Sequence, residues 1–196
     1  MRLTLVKGTQ NQMLQLQSPA LALNDVRCPG PVFLDRSLKI QKDDSRQNIV
    51  NAVANYAAAA PGGRLKSLVL NCHGLPGYLI MGQGFSHAHV QAFQQWNGKI
   101  DTIWITACQI ASRKYARPQT LQIKGIGPCD ASDGFIFCQN MARNAQAHVV
   151  ASLDTQESPG RVIPKGNVDS FEGTHFCWRP DGSVAWARRF ALNTFE

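Results

Sequence analysis

The sequence predicts an α/β domain built on an open, mostly parallel sheet with helices on both faces. Three observations carry that expectation. Two short apolar runs, Leu68-Val69-Leu70 and Ile103-Trp104-Ile105, have the continuous hydrophobicity of strands buried on both sides. Segments with helical spacing alternate with them, giving repeated strand-helix-strand crossovers. Both runs end within a few residues in a chemically capable group, the first at His73-Gly74 and the second at Ala107-Cys108.

The elements follow in order. Residues 1–30 are poorly periodic and rich in Gln and Asn, which fits either an edge strand or a wrapping arm. Pro31-Val32-Phe33-Leu34-Asp35 reads as a first strand, followed by a polar loop through Asp44. Ser45 or Asp44 can cap a helix running to about Ala60, with Ile49, Val50, Val53 and Ala57 on one face, and Pro61-Gly62-Gly63 stops it. Lys66–Cys72 is the second strand, and Tyr78–Met81 with its flanking glycines suggests a small hairpin. Ser86 can cap a second helix carrying Val90, Phe93 and Trp96 and ending at Gly98. Ile100–Ala107 is the third strand. Residues 111–132 lack clear periodicity and read as a long active-site loop holding Arg113, Lys114, Arg117 and Lys124. Asp133 can cap a third helix with Phe135, Cys138, Met141 and Ala145 along one side, Ala147–Leu153 is the fourth strand, and Thr174–Arg188 alternates around Pro180-Asp181-Gly182 as a hairpin. No internal repeat or domain boundary interrupts the 196 residues, so a single domain spans 1–196.

Composition narrows the function. With 44% hydrophobic and 17% charged residues the chain has the means to build a core. No apolar run approaches the ~20 residues of a membrane-spanning helix, and the opening MRLTLVKGTQNQ lacks the apolar centre of a signal peptide. The expectation is a cytoplasmic protein, or one exported as an effector without a signal peptide, with no membrane partner. The net charge of +7 is spread along the chain and accompanies neither zinc-finger spacing nor an aromatic RNA-binding signature, so a generally basic surface is expected and no specific nucleic-acid partner. The six cysteines form no Cys-x-x-Cys pair, and free, mostly buried thiols are expected, with no metal site and no cofactor.

The chemistry lies at the two strand ends. A cysteine attacks as its thiolate, and a nearby histidine can take its proton and return it to the leaving group. In an open parallel sheet both groups collect at the carboxyl ends of strands. Gly74, lacking a side chain, lets its N–H approach a substrate carbonyl, and the Cys108 N–H can supply a second oxyanion donor. Cys72 adjoins His73, so its side chain should point the other way, into the core. His87 and His89 read as surface or capping residues; His148 and His175 sit in strands without a nameable partner. Trp96, Trp104, Trp178 and Trp186 read as packing residues.

A strand ending in His-Gly, a turn and helix, then a strand ending in Ala-Cys resembles the caspase-like (clan CD) cysteine peptidases. The stretches NCHGLPG, ITACQIA, DGFIFCQNMA and AHVVASLD are most similar to bacterial members of the clostripain and gingipain kind. The resemblance covers roughly residues 64–155 and implies a three-layer caspase-like sandwich. It also implies an endopeptidase acting on a protein or peptide substrate, with His73 as acid-base, Cys108 as nucleophile, and the Gly74 and Cys108 amides as oxyanion hole. Thr106-Ala107-Cys108-Gln109-Ile110 departs from the caspase Gln-Ala-Cys signature, so cleavage after Asp is not implied. Relatives that cut after Arg or Lys use an acid in the first specificity pocket; Asp35 and Asp154 are the candidates, and each fits a turn or cap equally well. The alternative is a non-catalytic interaction module on the same fold.

Overall fold

Along the second strand, Leu68 and Leu70 face one side of the sheet and Val69 the other; on its neighbour Ile103 and Ile105 oppose Trp104 in the same way. This alternation builds two cores on one sheet. The structure is a computed structural model that describes residues 13–156, 163–169 and 172–190, together with the backbone of residues 4–5. Its strands are β1 (Thr4–Leu5), β2 (Leu14–Gln15), β3 (Ala20–Asp25), β4 (Arg36–Ile40), β5 (Leu65–Asn71), β6 (His73–Leu75), β7 (Tyr78–Ile80), β8 (Ile100–Ile105), β9 (Gln119–Ile123), β10 (Gly127–Ala131), β11 (His148–Ser152), β12 (Asn167–Val168), β13 (Gly173–Trp178) and β14 (Val184–Phe190). The helices are α1 (Arg46–Ala59), α2 (Gly134–Ala145) and a 3-10 helix over His87–Trp96.

Eight strands form the main sheet in the order β1-β14-β13-β11-β8-β5-β3-β4. The strands β4, β3, β5, β8 and β11 run parallel, while β13 is antiparallel to both β11 and β14. The expected mixed α/β sheet with a C-terminal hairpin is therefore present. The expected helices on both faces are not. Within the described residues, α1, α2 and the 3-10 helix all pack on the face of Leu68 and Ile103. The opposite face, with Ala20, Ala22 and Val69, is covered by Leu16, Val32, Leu34 and Val168 from loops and short strands.

The handedness of the crossovers explains this. From β4 to β5, β8 and β11 the chain always moves the same way across the sheet, and right-handed crossovers in one direction put every helix on one face. Only β3 to β4 moves the other way, and that connection, residues 26–35, contains no helix.

Three strand assignments differ from the sequence expectation, one of them β4, which occupies Arg36–Ile40 where a polar loop through Asp44 was expected. Pro31–Asp35 is this crossing loop rather than a strand: the Val32 N–H donates to Asn24 Oδ1 at 2.7 Å and the Val32 carbonyl accepts from Asn24 Nδ2 at 2.9 Å, in place of a ladder. The strand itself is β3, buried at all six positions. Its sequence ALALND hides it, because Ala, Asn and Asp are depleted in strands; here the small alanines let the covering loop approach closely.

Helix α1 follows the expectation: Ile49, Val50, Val53 and Ala57 are its buried residues, and Ser45 Oγ accepts from the Asn48 N–H at 3.1 Å. The second helix is 3-10 rather than α. Val90, Phe93 and Trp96 recur every third residue, which is the 3-10 period, so they stack in line on the core. Phe93 bridges Phe85 and Trp96 with ring centroids 5.2 and 4.8 Å apart, and Trp96 Nε1 donates to the Val50 carbonyl at 3.0 Å, tying the segment to α1.

Candidate active site

The β3–β4 crossover leaves on one face and the β4–β5 crossover on the other, so the crevice at the carboxyl ends of β3 and β5 is the topological switch point of the sheet. Four parallel strands deliver groups there: β3 leads into Asp25, Arg27 and Cys28, β5 into Cys72 and His73, β8 into Cys108, and β11 into Asp154 and Gln156.

His73 Nε2 lies 2.9 Å from the Arg27 carbonyl oxygen. A carbonyl can only accept, so Nε2 carries the proton and donates, and in the neutral ring Nδ1 is left with the lone pair. Arg27 is itself fixed. Its Nε and Nη2 donate to Asp25 Oδ1 and Oδ2, both at 2.7 Å, its N–H donates to Oδ1 at 3.0 Å, and Nη2 also donates to the Gly82 carbonyl at 2.8 Å. The Gly82 N–H completes the set on Asp25 Oδ2 at 2.9 Å. Burial would raise the Asp25 carboxyl, but these bonds and the guanidinium charge outweigh it and hold it below the usual carboxylate range. The same pairing raises the Arg27 guanidinium. The carbonyl that aims His73 is thus anchored by a forked, buried ion pair.

Gly74 lies directly against the next strand end. A Cβ built on it would meet Ala107 Cβ and the Cys108 carbonyl oxygen at 2.8 Å each and the Cys108 nitrogen at 3.5 Å. Only glycine permits this approach, and it sets the Gly74 and Cys108 backbones side by side. After Cys108 the chain turns sharply: Gln109 has φ of +51°, in the left-handed region, held by its N–H on the Asp154 carbonyl at 2.9 Å. The half-buried Cys108 sulfur accepts from the Gln156 N–H at 3.4 Å and sits 3.3 Å from the Gln156 carbonyl, to which the thiol can donate. The Gln156 side chain pins this loop, with Nε2 donating to Ser152 Oγ at 3.0 Å and to the Glu172 carbonyl at 2.9 Å.

Burial acts on the remaining thiols. Cys28, next to the carbonyl that holds His73, has its sulfur 3.6 Å from Asn71 Oδ1. Burial, with smaller contributions from Cys108 and Asp25, pushes it up to about 11. Burial likewise raises Cys72, Cys129 and Cys138, and takes Cys177 to about 11. Cys72 points into the main core, away from His73, as expected of adjacent strand residues.

Of the residues singled out from sequence, the structure gathers His73, Gly74 and Cys108 at one end of the sheet. Asp35 is at the other end: its Oδ2 accepts from the N–H of Ala20, the first residue of β3, at 2.8 Å and from Ser18 Oγ, so it ties a turn and cannot line this crevice. A shallow depression of about 570 Å³ opens beside it, bounded by Phe33, Asp35 and Ile163, away from the reactive groups. Asp154 is at the correct end, but its Oδ2 is taken by the Thr174 N–H at 2.5 Å. His89 caps the 3-10 helix through Ser86, and His87 Nε2 donates to the Asp133 carbonyl at 3.1 Å. Within the segment 111–132 only residues 119–131 form an ordered hairpin, β9–β10, while residues 111–118 are the expected irregular chain. Among the described residues no group of three or more metal-ligating side chains converges, and no helix is long and apolar enough to cross a membrane.

Sequence reading missed Asp25, Arg27 and Gln156. Arg27 and Gln156 act through backbone atoms, which leave no residue-type signature; the Asp25-x-Arg27 spacing at a strand end was the one available signal. No protein-family model, curated protein or solved structure matches this chain.

Proposed function

We propose that the chain is a caspase-like cysteine endopeptidase in which Cys108 is the nucleophile and His73 the general base and acid. The observation that supports it most is the His73 Nε2 bond to the Arg27 carbonyl, which leaves Nδ1 as the proton acceptor on the residue preceding Gly74, itself packed on the Cys108 backbone. Nδ1 takes the thiol proton, and the sulfur attacks the scissile carbonyl carbon. The developing oxyanion is met by the Gly74 and Cys108 N–H groups. Collapse of the tetrahedral species expels the amine, protonated by His73, and leaves a thioester that water hydrolyses with His73 again as base.

The test is a peptide-library assay on wild type, Cys108→Ala and His73→Ala, paired with alkylation of the wild-type thiols near pH ~8. Each substitution should lower kcat/KM by about 10³-fold or more, and alkylation should reach Cys108 ahead of the five other cysteines. Turnover surviving Cys108→Ala would overturn the mechanism. Inert wild type with no preferred thiol would favour the non-catalytic interaction module.

A further inference from the structure

The hydrolase reading leaves the choice of substrate open, and the hairpin beside the site bears on it. Between Ser112 and Cys129 the chain carries Arg113, Lys114, Arg117 and Lys124 and no acid. All four are exposed, and none forms an ion pair among the described residues.

This cationic segment is built into the catalytic unit. It leaves β8 directly after Cys108, and the Gly77 N–H donates to the Ile110 carbonyl at 3.1 Å. Its return is fastened by the Ser132 N–H on the Pro76 carbonyl at 2.8 Å. Cys129, with Ile123 and Ile126, packs on Leu75, Tyr78 and Ile80 of the β6–β7 hairpin that begins with His73. The Arg113 guanidinium lies 4.1 Å from the centre of the Phe135 ring, which fixes the base of the arm.

Nearby carboxylates are held in place by hydrogen bonds, and among them Asp25 alone is ion-paired. Asp25 is bound by Arg27, Asp154 by the Thr174 N–H, Asp133 by the Ile136 N–H at the start of α2, and Asp130 by Thr120 Oγ1. An excess of one sign of charge beside a crevice concentrates ligands of the other sign, and here four exposed cations stand against the exposed Asp130 just after the same segment. Tyr115 is the only aromatic ring between Ser112 and Cys129 and Lys114 Nζ lies 5.4 Å from its centre, so the segment offers no free stacking platform for bases.

We propose that the cationic segment 113–124, which leads into and turns over the β9–β10 hairpin, is a substrate-selecting arm that draws acidic polypeptide segments, rich in Asp and Glu, to Cys108. The proposal rests on the hydrolase reading for what happens after capture, but capture itself is separable. Arg117 and Lys124 make no hydrogen bond or ring contact among the described residues, so the double variant Arg117→Glu/Lys124→Glu should fold as the parent, checked by its melting curve.

Two measurements test it. In the first, kcat/KM is compared for peptides sharing one cleavage site but flanked by Glu, Gln or Lys. Wild type should favour the Glu flank over the Lys flank by about tenfold at low salt, with the preference fading by about 0.5 M salt and reversing in the double variant, while the Gln-flanked peptide is unaffected. Turnover without this charge preference overturns the arm and leaves the hydrolase standing. In the second, fluorescence anisotropy follows the Glu-flanked peptide binding to Cys108→Ala protein. Binding that weakens about tenfold in the charge-reversed background supports the arm even where no peptide is cleaved. Unchanged binding, or a single-stranded oligonucleotide bound more tightly than the peptide, overturns it.

Discussion

The Arg27 carbonyl fixes the His73 ring and selects its tautomer with a main-chain atom alone. Gly74 is equally specific at this scale. Its absent side chain is the space in which two strand ends meet, so Gly74→Ala must push Ala107 and Cys108 away. Activity should fall about 10- to 100-fold, because small displacements of reacting groups are costly, while far-ultraviolet circular dichroism stays unchanged. A full-activity Gly74→Ala enzyme would show that the close approach has no part in catalysis. The residues of the site were unequally legible for a physical reason. His73, Gly74 and Cys108 act through side chains, or through the lack of one, and so announce themselves. Arg27 and Gln156 lend main-chain atoms, which every residue possesses, and only the fold shows where those atoms point.

Among the elements, those with one clean period could be read directly. Helix α1 shows helical spacing and a serine cap, α2 starts at Asp133, whose carboxylate accepts from the Ile136 N–H at 3.1 Å, and the β13–β14 hairpin turns at Asp181-Gly182. Removing either cap should cost about 1 kcal/mol: Ser45→Ala and Asp133→Ala should each lower the urea midpoint with an unchanged slope. Equal midpoints for variant and parent would mean water replaces the cap without loss. The elements that escaped had mixed signals. β3 uses alanine where a strand normally uses a branched residue, since a loop crosses tightly above it. The β9–β10 hairpin packs its apolar residues on the small β6–β7 ribbon rather than on the main core, so its pattern lacks the continuous apolar run of a buried strand. The 3-10 helix has the caps of an α-helix, and only its strict three-residue spacing separates the two.

For the molecule as a whole, the sheet separates a helix-covered core from a thinner loop-covered one, and a buried histidine near the edge of the sheet links stability to pH. His175 on β13 is fully buried and stands edge-on to Phe190, with ring centroids 5.4 Å apart. Burial lowers it to about 4, against smaller opposing effects of the Gly173 backbone and Asp154. The unfolded chain binds this proton near pH ~6.5 and the folded chain only near 4, so folding loses stability as pH falls through that window and gains nothing above it. The full loss is about 3 kcal/mol. Urea unfolding at pH ~7 and ~4.5 should show most of it, and His175→Gln should flatten the dependence; a slope equal in both proteins would assign the acid sensitivity to other groups.

Strands β4, β5, β8, β11, β13 and β14 each pair with a strand that precedes them in sequence, so as the chain leaves the ribosome every new strand finds an edge already waiting. β3, which pairs only with the later β4 and β5, provides the first edge, and β1 pairs last, for Thr4 lies opposite Arg188. At about 5–20 residues per second, β1 waits roughly ten to forty seconds for its neighbour. The order of synthesis therefore lets the four strand ends that carry Arg27, His73, Cys108 and Gln156 come together before the far edge of the sheet can close.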